Sequence, residues 1–524
     1  MKKEIIYFVT STLFFFAIHL LQAQPTIQWQ KCLGGSSVEI ARCIQQTNDG
    51  GYIVAGYSSS SNGDLTGNHG GYDVWVVKLN AMGSIQWQKN YGGSEHDYAF
   101  SIQQTIDGGY IVGGTTESND GDVVGNHGSF TVPDFWILRL DQSGNLLWQK
   151  CLGGSGAETC NSIRQTNDGG YILAGETDGS TDGDVTVNHG DIDYWIVKLG
   201  ASGNIQWQKS LGGSGRETPY SIIQTNDGGY IVAGESNNCN GNHGDFDAWI
   251  VKLDTSGNIQ WEKSLGGSSI DASYSIRQTS GGGYIVAGNT LSNNGDVSGN
   301  HSIAGPYGDG WVVKLNASGT IQWQKCLGGS FDDWANSIWQ TNEGGYIVAC
   351  ITKSQDQDVS GNHDTTSNYW DYWAVKLNNT GNIQWQKCLG GSDADEVYSV
   401  QQTSDEGFIF AGSTYSINGD VTGNHGGEDF WIVKLNPFNA INETNQLITF
   451  TVSPNPATDN LHIQLPQDYS TAEIKIYNLL GQIQQTMQVS SAESAINIAA
   501  LARGAYMIEL RNDKNISRAK FIKE

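Results

Sequence analysis

An all-β fold, a seven-bladed β-propeller of four-stranded blades followed by a small β-sandwich domain, is predicted by three observations. An I-Q-W-Q-K motif or a close variant recurs seven times, with its Trp at Trp29, Trp87, Trp148, Trp207, Trp261, Trp323 and Trp385, spaced 54 to 62 residues apart. A second motif, D-x-W-(V/I)-V-K-L or a close variant, also occurs seven times, at Trp75, Trp136, Trp195, Trp249, Trp311, Trp373 and Trp431. The composition agrees: 68 Gly, 17 Trp and 22 Tyr against 4 Met, with 16% charged residues, excludes a helical bundle or coiled coil, and the aromatic content excludes a disordered chain.

From the N-terminus, residues 1–23 read as a secretory signal peptide. Lys2 and Lys3 precede an apolar stretch over 5–21, and small Ala23 stands before Gln24. No later segment approaches the ~18 apolar residues that a membrane-spanning helix needs, so the mature chain is expected to be exported with no transmembrane segment. Export permits disulfides. Of the eight Cys, Cys32, Cys151, Cys326 and Cys388 share one repeat-equivalent position, three residues after a Trp, and should not pair with one another. Cys32–Cys43 and Cys151–Cys160 are local possibilities, and the others read as small buried hydrophobes.

Residues 24–436 hold the repeats. In the first unit, 43–47 is a candidate strand and Asn48-Asp49-Gly50-Gly51 a tight turn, with 52–56 a second strand. A polar loop over 57–72 leads to a third strand at 73–79, a turn at 80–84 and a fourth strand at 85–89. Four short strands per unit, in seven units, suit a propeller because one blade cannot bury both of its faces alone. The ends of the array support a closed ring. The seventh unit supplies three strands (398–403, 407–412 and 429–435) and lacks the I-Q-W-Q element, while an orphan copy stands at 27–31. Placing that copy at the edge of the last blade closes the ring and removes an open edge. Each blade then has two short connections at one end and two longer ones, L-G-G-S and the NGDVxGNHG loop, at the other. The long-loop face is the expected working face, since function concentrates on loops held by a rigid scaffold.

Polar residues 437–447, with Pro437, read as a linker. Residues 448–524 contain no repeat and carry seven basic and seven acidic side chains, so the net charge of −26 belongs to the repeat region and disfavours nucleic acid as a partner. Alternation over 473–477, a turn and a strand at 506–510 give a compact all-β domain. The motifs Ser453-Pro454-Asn455-Pro456-Ala457, Leu461-His462-Ile463, the run 474–480 followed by Gly481-Gln482, and 501–510 with Gly504-Ala505-Tyr506 resemble, in order, the C-terminal sorting domain of type IX secretion substrates. The resemblance implies a small β-sandwich that engages the type IX secretion machinery, passage through the periplasm and outer membrane of a Gram-negative bacterium, and a passenger that is released or attached to surface lipopolysaccharide. The repeat region is similar to propeller-type repeats found beside such domains, some of which carry a glycoside-hydrolase label.

Several residue sets are candidates for chemistry. His69, His127, His189, His243, His301, His363 and His425, each after an Asn, pair in sequence with Asp73, Asp134, Asp193, Asp247, Asp309, Asp371 and Asp429. A residue needed once for catalysis would not recur in every blade, so these read as loop-closing groups, with a metal-ligand set as the alternative. An acidic ring, Glu39, Asp97, Glu158, Glu217, Asp271, Asp333 and Asp395, lies three residues after each L/Y-G-G-S serine. It reads either as a cation site near the channel mouth or as carboxylates that accept N–H bonds from their own loops. Asp64, Asp122, Asp184, Asp296, Asp358 and Asp420, in Gly-bearing long loops, are candidate Ca²⁺ ligands, although they lack a full calcium-loop spacing. Residues unique to one blade are better ligand-binding candidates: Trp334 and Trp339 around the inner strand of blade six, Tyr369 and Trp370 in its long loop, and Tyr307 in the blade-five insertion over 302–308.

No catalytic residue is assigned, because nucleophile-elbow, zincin, P-loop and dinucleotide motifs are absent. The expected function is binding or adhesion at the cell surface, to polysaccharide or to a protein. A polysaccharide-cleaving, endoglucanase-like enzyme using a pair from the acidic ring and a structural surface protein without small ligand are the alternatives.

Overall fold

The computed structural model describes residues 24–128, 131–302, 307–437, 451–464, 472–478, 482–489, 493–511 and 516–524. The expected signal peptide and nearly all of the expected linker lie outside the described residues. The chain divides into two compact units, with the boundary after Phe438.

The first unit holds seven four-stranded antiparallel sheets, the seven blades. β1 (Ile27–Leu33) precedes blade one, which consists of β2 (Glu39–Gln46), β3 (Tyr52–Ser58), β4 (Asp73–Leu79) and β5 (Ile85–Tyr91) in sequential order. The burial of each strand follows its radial place. β4 is buried along its whole length and β3 nearly so, because neighbouring blades cover both faces, which is why Y-I-V-A-G and V-W-V-V read as unbroken apolar runs. β5, the outermost strand, is mostly half-exposed. The inner strand begins four residues earlier than the alternation suggests, at Glu39 and not at Cys43. Its pairing with β3 slips between Ala41 and Cys43, a bulge at Arg42 that breaks the period-two pattern and recurs in all seven inner strands.

The ring closes as the strand count requires. β1 pairs antiparallel with Asp429–Leu435 and completes a sheet with Phe408–Thr414 and Asp395–Gln402. The indole Nε1 of Trp431 donates to Gln30 Oε1 at 2.8 Å across this junction, as Trp75 donates to Gln88 at 3.0 Å inside blade one. At the short-loop end, Gly50 takes φ +80° in the N-D-G-G turn, and the buried Lys78 ammonium reaches the turn's Asp49 at 2.9 Å. The local cysteine pairs do not form. All eight thiols are free, since Cys32 lies on the strand that closes blade seven and Cys43 on the inner strand of blade one.

Between blades, the first Gly of each G-G-S loop is held between two buried carboxylates. A side chain at Gly92 would put its Cβ 2.6 Å from Asp97 Oδ2 and 2.7 Å from Asp73 Oδ1; Gly34, Gly153, Gly212, Gly266, Gly328 and Gly390 repeat the arrangement. The second unit contains a sheet of Thr451–Ser453, Asn460–Gln464 and Glu493–Asn497 and a sheet of Ile483–Val489, Ala472–Tyr477, Gly504–Arg511 and Ile516–Lys523. Leu461, Ile463 and Ile496 of the first share one core with Ile474, Ile508 and Phe521 of the second, the sandwich expected of the tail.

Gly92→Ala is expected to destabilise the propeller by roughly 1–3 kcal/mol through overpacking. Gly281→Ala, whose Cβ would meet nothing within 4 Å, is the neutral control. Thermal unfolding of both variants checks this, and equal melting temperatures would refute the carboxylate sandwich.

Candidate functional site

The long-loop face is built on the repeated carboxylates. Each member of the acidic ring is the first residue of an inner strand and has no solvent exposure. Each turns back on its own blade: Glu39 accepts from Gly35 N at 2.6 Å and Ser58 Oγ at 2.8 Å, and Asp395 accepts from Gly391 N at 2.8 Å, Ser416 Oγ at 2.9 Å and the Thr414 hydroxyl. The second ring is equally buried. Asp73 Oδ2 takes the backbone N–H and the Nδ1 of His69, both at 2.7 Å, and this motif recurs in every blade. The other oxygen of each of these seven Asp residues has no hydrogen-bond partner and faces the interblade glycine.

The candidate calcium ligands sit in the long loops as clamps. The backbone N–H of Asp64 donates to Gly34 O at 2.9 Å while its carboxylate accepts from Gly34 N at 3.3 Å, and Asp122 and Asp296 do the same with Gly92 and Gly266. The N–H groups of Asp184, Asp358 and Asp420 hold Gly153, Gly328 and Gly390. The His of the preceding blade approaches four of these carboxylates at 3.6–3.9 Å, as His363 Nε2 does Asp420. Among the described residues no three His, Cys, Asp or Glu side chains converge to hold a metal ion.

Above this frame the blades differ, and at blades five and six the structure forms two aromatic pairs. Trp334 and Trp370 lie with ring centroids 5.4 Å apart, and Lys353 Nζ stands 4.5 Å from the Trp370 ring. Tyr307 packs on Phe331 at 5.5 Å, both more than a third exposed, and Tyr369 is 45% exposed. Asp364 fixes the loop that carries Tyr369 and Trp370: it accepts the N–H groups of Thr366, Asn368 and Tyr369 at 2.7–2.8 Å. Residues 303–306 of the blade-five insertion lie outside the described residues.

Trp339 is placed elsewhere. It shares a strand face with Trp334, since their partners Ile347 and Ile351 are four residues apart, but it sits near the short-loop end and lines the central channel. Sequence reasoning missed Phe331 and Lys353, and also a second aromatic group of Tyr57, Tyr72, His96 and Tyr98 at blades one and two, with Tyr57 and Tyr98 at 4.8 Å. The signal was present in His96, which stands alone among small, charged or aliphatic residues at its repeat position.

Residues 451–524 match the family of the secretion system C-terminal sorting domain, in agreement with the motifs of the tail. The chain is therefore secretion-system cargo with its export signal at the C-terminus. No curated protein matches the sequence. Among solved structures the chain is similar to the plexin A4 extracellular region, at 7% identity and TM-score 0.51 over 94% of this chain and 52% of that one, a likeness of fold. PorZ, an essential bacterial surface component of the type IX secretion system of Porphyromonas gingivalis, matches at 13% identity and TM-score 0.41, covering 94% of this chain and 59% of PorZ. A puromycin hydrolase matches at 9% and 0.45, covering 83% of this chain and 60% of the hydrolase. The chain thus spans between about half and three fifths of the length of these proteins.

Burial pushes Asp97 up to about 6 and Glu158, Asp333 and Asp395 up to about 7, against the loop hydrogen bonds that lower them. The neighbouring Asp of the adjacent blade adds to the rise. His301 and His363 are raised by their hydrogen bonds to Asp309 and Asp371. Groups raised in the folded state hold protons that the unfolded chain has released, so their contribution is present at low pH and lost as pH rises through these values. The melting temperature is expected to fall between about pH 4 and pH 7, and Asp395→Asn to flatten the fall. A melting temperature that rises across this window in the parent protein would contradict the assignment.

Proposed function

We propose that the protein is a binding or adhesion protein of the cell surface, or released from it, that is exported by the type IX route and engages polysaccharide through the long-loop face at blades five and six. The observation that carries this reading is the concentration of aromatic side chains on the long loops and inner-strand entries of blades five and six: the Trp334–Trp370 pair with Lys353 over the Trp370 ring, the Tyr307–Phe331 pair, and the exposed Tyr369. Exposed aromatic faces suit the apolar faces of sugar rings, and rigid aromatic anchors also suit a protein partner. The enzyme alternative has less support: the acidic ring that would supply its carboxylates has no solvent exposure and is bound to its own loops.

Two outcomes are expected. The exported protein is retained on at least one insoluble polysaccharide of a panel, and Trp370→Ala weakens retention about tenfold, a typical cost for an aromatic anchor, without loss of folding. Retention on no glycan, together with capture of a surface protein that Trp370→Ala abolishes, would replace polysaccharide with a protein partner. Deletion of residues 451–524 is expected to leave the propeller in the periplasm, read by fractionation of producing cells. Surface display of the truncated chain would refute the role given to the tail.

A further inference from the structure

The central channel encloses a cavity of about 530 Å³ on the axis of the ring. Its lining contains Arg42, Arg164 and Arg277 and no Asp or Glu. These are three of the five arginines between residues 24 and 437 of a chain with a net charge of −26. None of the three makes an ion pair with a carboxylate among the described residues. The Arg42 guanidinium lies 4.1 Å from the Tyr398 ring and 5.5 Å from Phe100. Arg164 Nη1 donates to Ser101 Oγ at 2.9 Å and to Ile163 O at 2.8 Å. Arg277 stands 5.2 Å from the Trp339 ring, and its buried Nε has no hydrogen-bond partner. Burial and the nearby Arg164 charge lower the Arg277 pKa to about 9, the direction expected of a cation that lacks a counterion.

The repeat shows what stands at this position in the other blades. Gln45, Gln103 and Gln401 occupy the equivalent position in blades one, two and seven, and each accepts a backbone N–H of the next blade at 2.7 Å, from Gln104, Gln165 and Gln46. In blades three to six the position is Arg164, Ile223, Arg277 and Trp339, none of which can accept that bond. Three blades make this hydrogen bond and four adjacent ones do not, and the residues that stand in its place meet in one cavity. A run of neighbouring blades that forgoes a local structural bond to place cations and an indole in one cavity is a candidate functional position. Glu235 and Glu396, which accept from the hydroxyls of Tyr220 and Tyr398, stand toward the long-loop end, and Arg164, Arg277 and Trp339 toward the short-loop end.

We propose that the short-loop end of the channel binds a monosaccharide bearing one anionic group, with Arg164 and Arg277 taking the carboxylate or phosphate and Trp339 taking the sugar ring. Guanidinium forks match both anions, and the indole supplies the apolar surface that sets a sugar acid apart from a bare inorganic ion. This site is at the opposite end of the propeller from the aromatic patch, and it stands or falls independently of the polysaccharide reading.

The variants that test it are supplied by the repeat itself. Arg164→Gln, Arg277→Gln and Trp339→Gln install the residue that blades one, two and seven already use, so each is expected to fold, with a melting temperature no lower than the parent's. Isothermal titration of the full-length protein with glucuronate and with glucose 6-phosphate is expected to show saturable binding of at least one. The bound sugar then identifies the anionic group as carboxylate or phosphate. Arg164→Gln and Arg277→Gln should each weaken that binding tenfold or more, and Trp339→Gln should weaken it while leaving folding intact. Neutral glucose should not bind. Failure of both sugars to bind at millimolar concentration, binding unchanged in the Arg variants, or inorganic phosphate binding as tightly as the anionic sugar would each overturn the proposal.

Discussion

Closure of the ring by β1 is the constraint on which the rest of the molecule depends. Seven wedge-shaped blades bring their inner strands around one axis only if the last blade is complete, and its outermost strand comes from the other end of the repeat region. The long loop this closes costs little, because loop entropy grows only with the logarithm of length. The junction reproduces the bonds found within and between the other blades. Trp431 reaches Gln30 as Trp75 reaches Gln88, and Gln46 of blade one accepts the N–H of Ser404 in blade seven as Gln104 accepts that of Asn48. A polypeptide with two ends therefore has no distinct seam in its hydrogen bonding, and the channel is lined from all seven sides.

The repeated polar residues serve this frame. Each interblade step buries two carboxylates around one glycine, an arrangement that is unfavourable electrostatically unless the charges are neutralised or satisfied. The structure offsets it with backbone N–H groups, Ser and Thr hydroxyls and a His ring at every step. Their purpose is to fix the starts of the long loops without large side chains, so that the loops above can change from blade to blade. Blade four shows the tolerance of the scheme. It lacks the N-G-D element, has Glu262 where the other six blades have the Gln that binds the strand Trp, and leaves Trp249 Nε1 without a partner, yet its sheet is complete.

The fold was legible because its determinants repeat. Paired Trp motifs, N-D-G-G turns and a missing last strand specify blade number and closure before any contact is known. Less legible were the features set by where a side chain points. The alternation places the start of the inner strand at Cys43 because the bulge at Arg42 interrupts it. Trp334 and Trp339, close in sequence, are separated along a strand by about 13 Å, at four residues of rise, so one joins the long-loop patch and the other the channel. The carboxylate rings were visible as rings, but spacing does not tell a buried loop brace from an exposed cation site. Burial decides that, and it depends on the glycine that lets two blades approach.

The distribution of charge gives the proposed channel site its character. Acidic side chains in excess over basic ones surround a cavity whose charged lining residues are all arginines. At physiological salt the field of the outer charges is screened over about 8 Å, so it discourages small anions from accumulating around the molecule but acts weakly on one already in the channel. Inside, contact distances are short, and a partly buried guanidinium without a carboxylate partner gains more from an anion than an exposed one would. The outer repulsion raises the threshold for every anion alike, whereas the Trp339 surface favours those that carry a ring. Selectivity in such a site comes from the combination: the arginines require a negative charge, and the indole excludes ligands that offer nothing else.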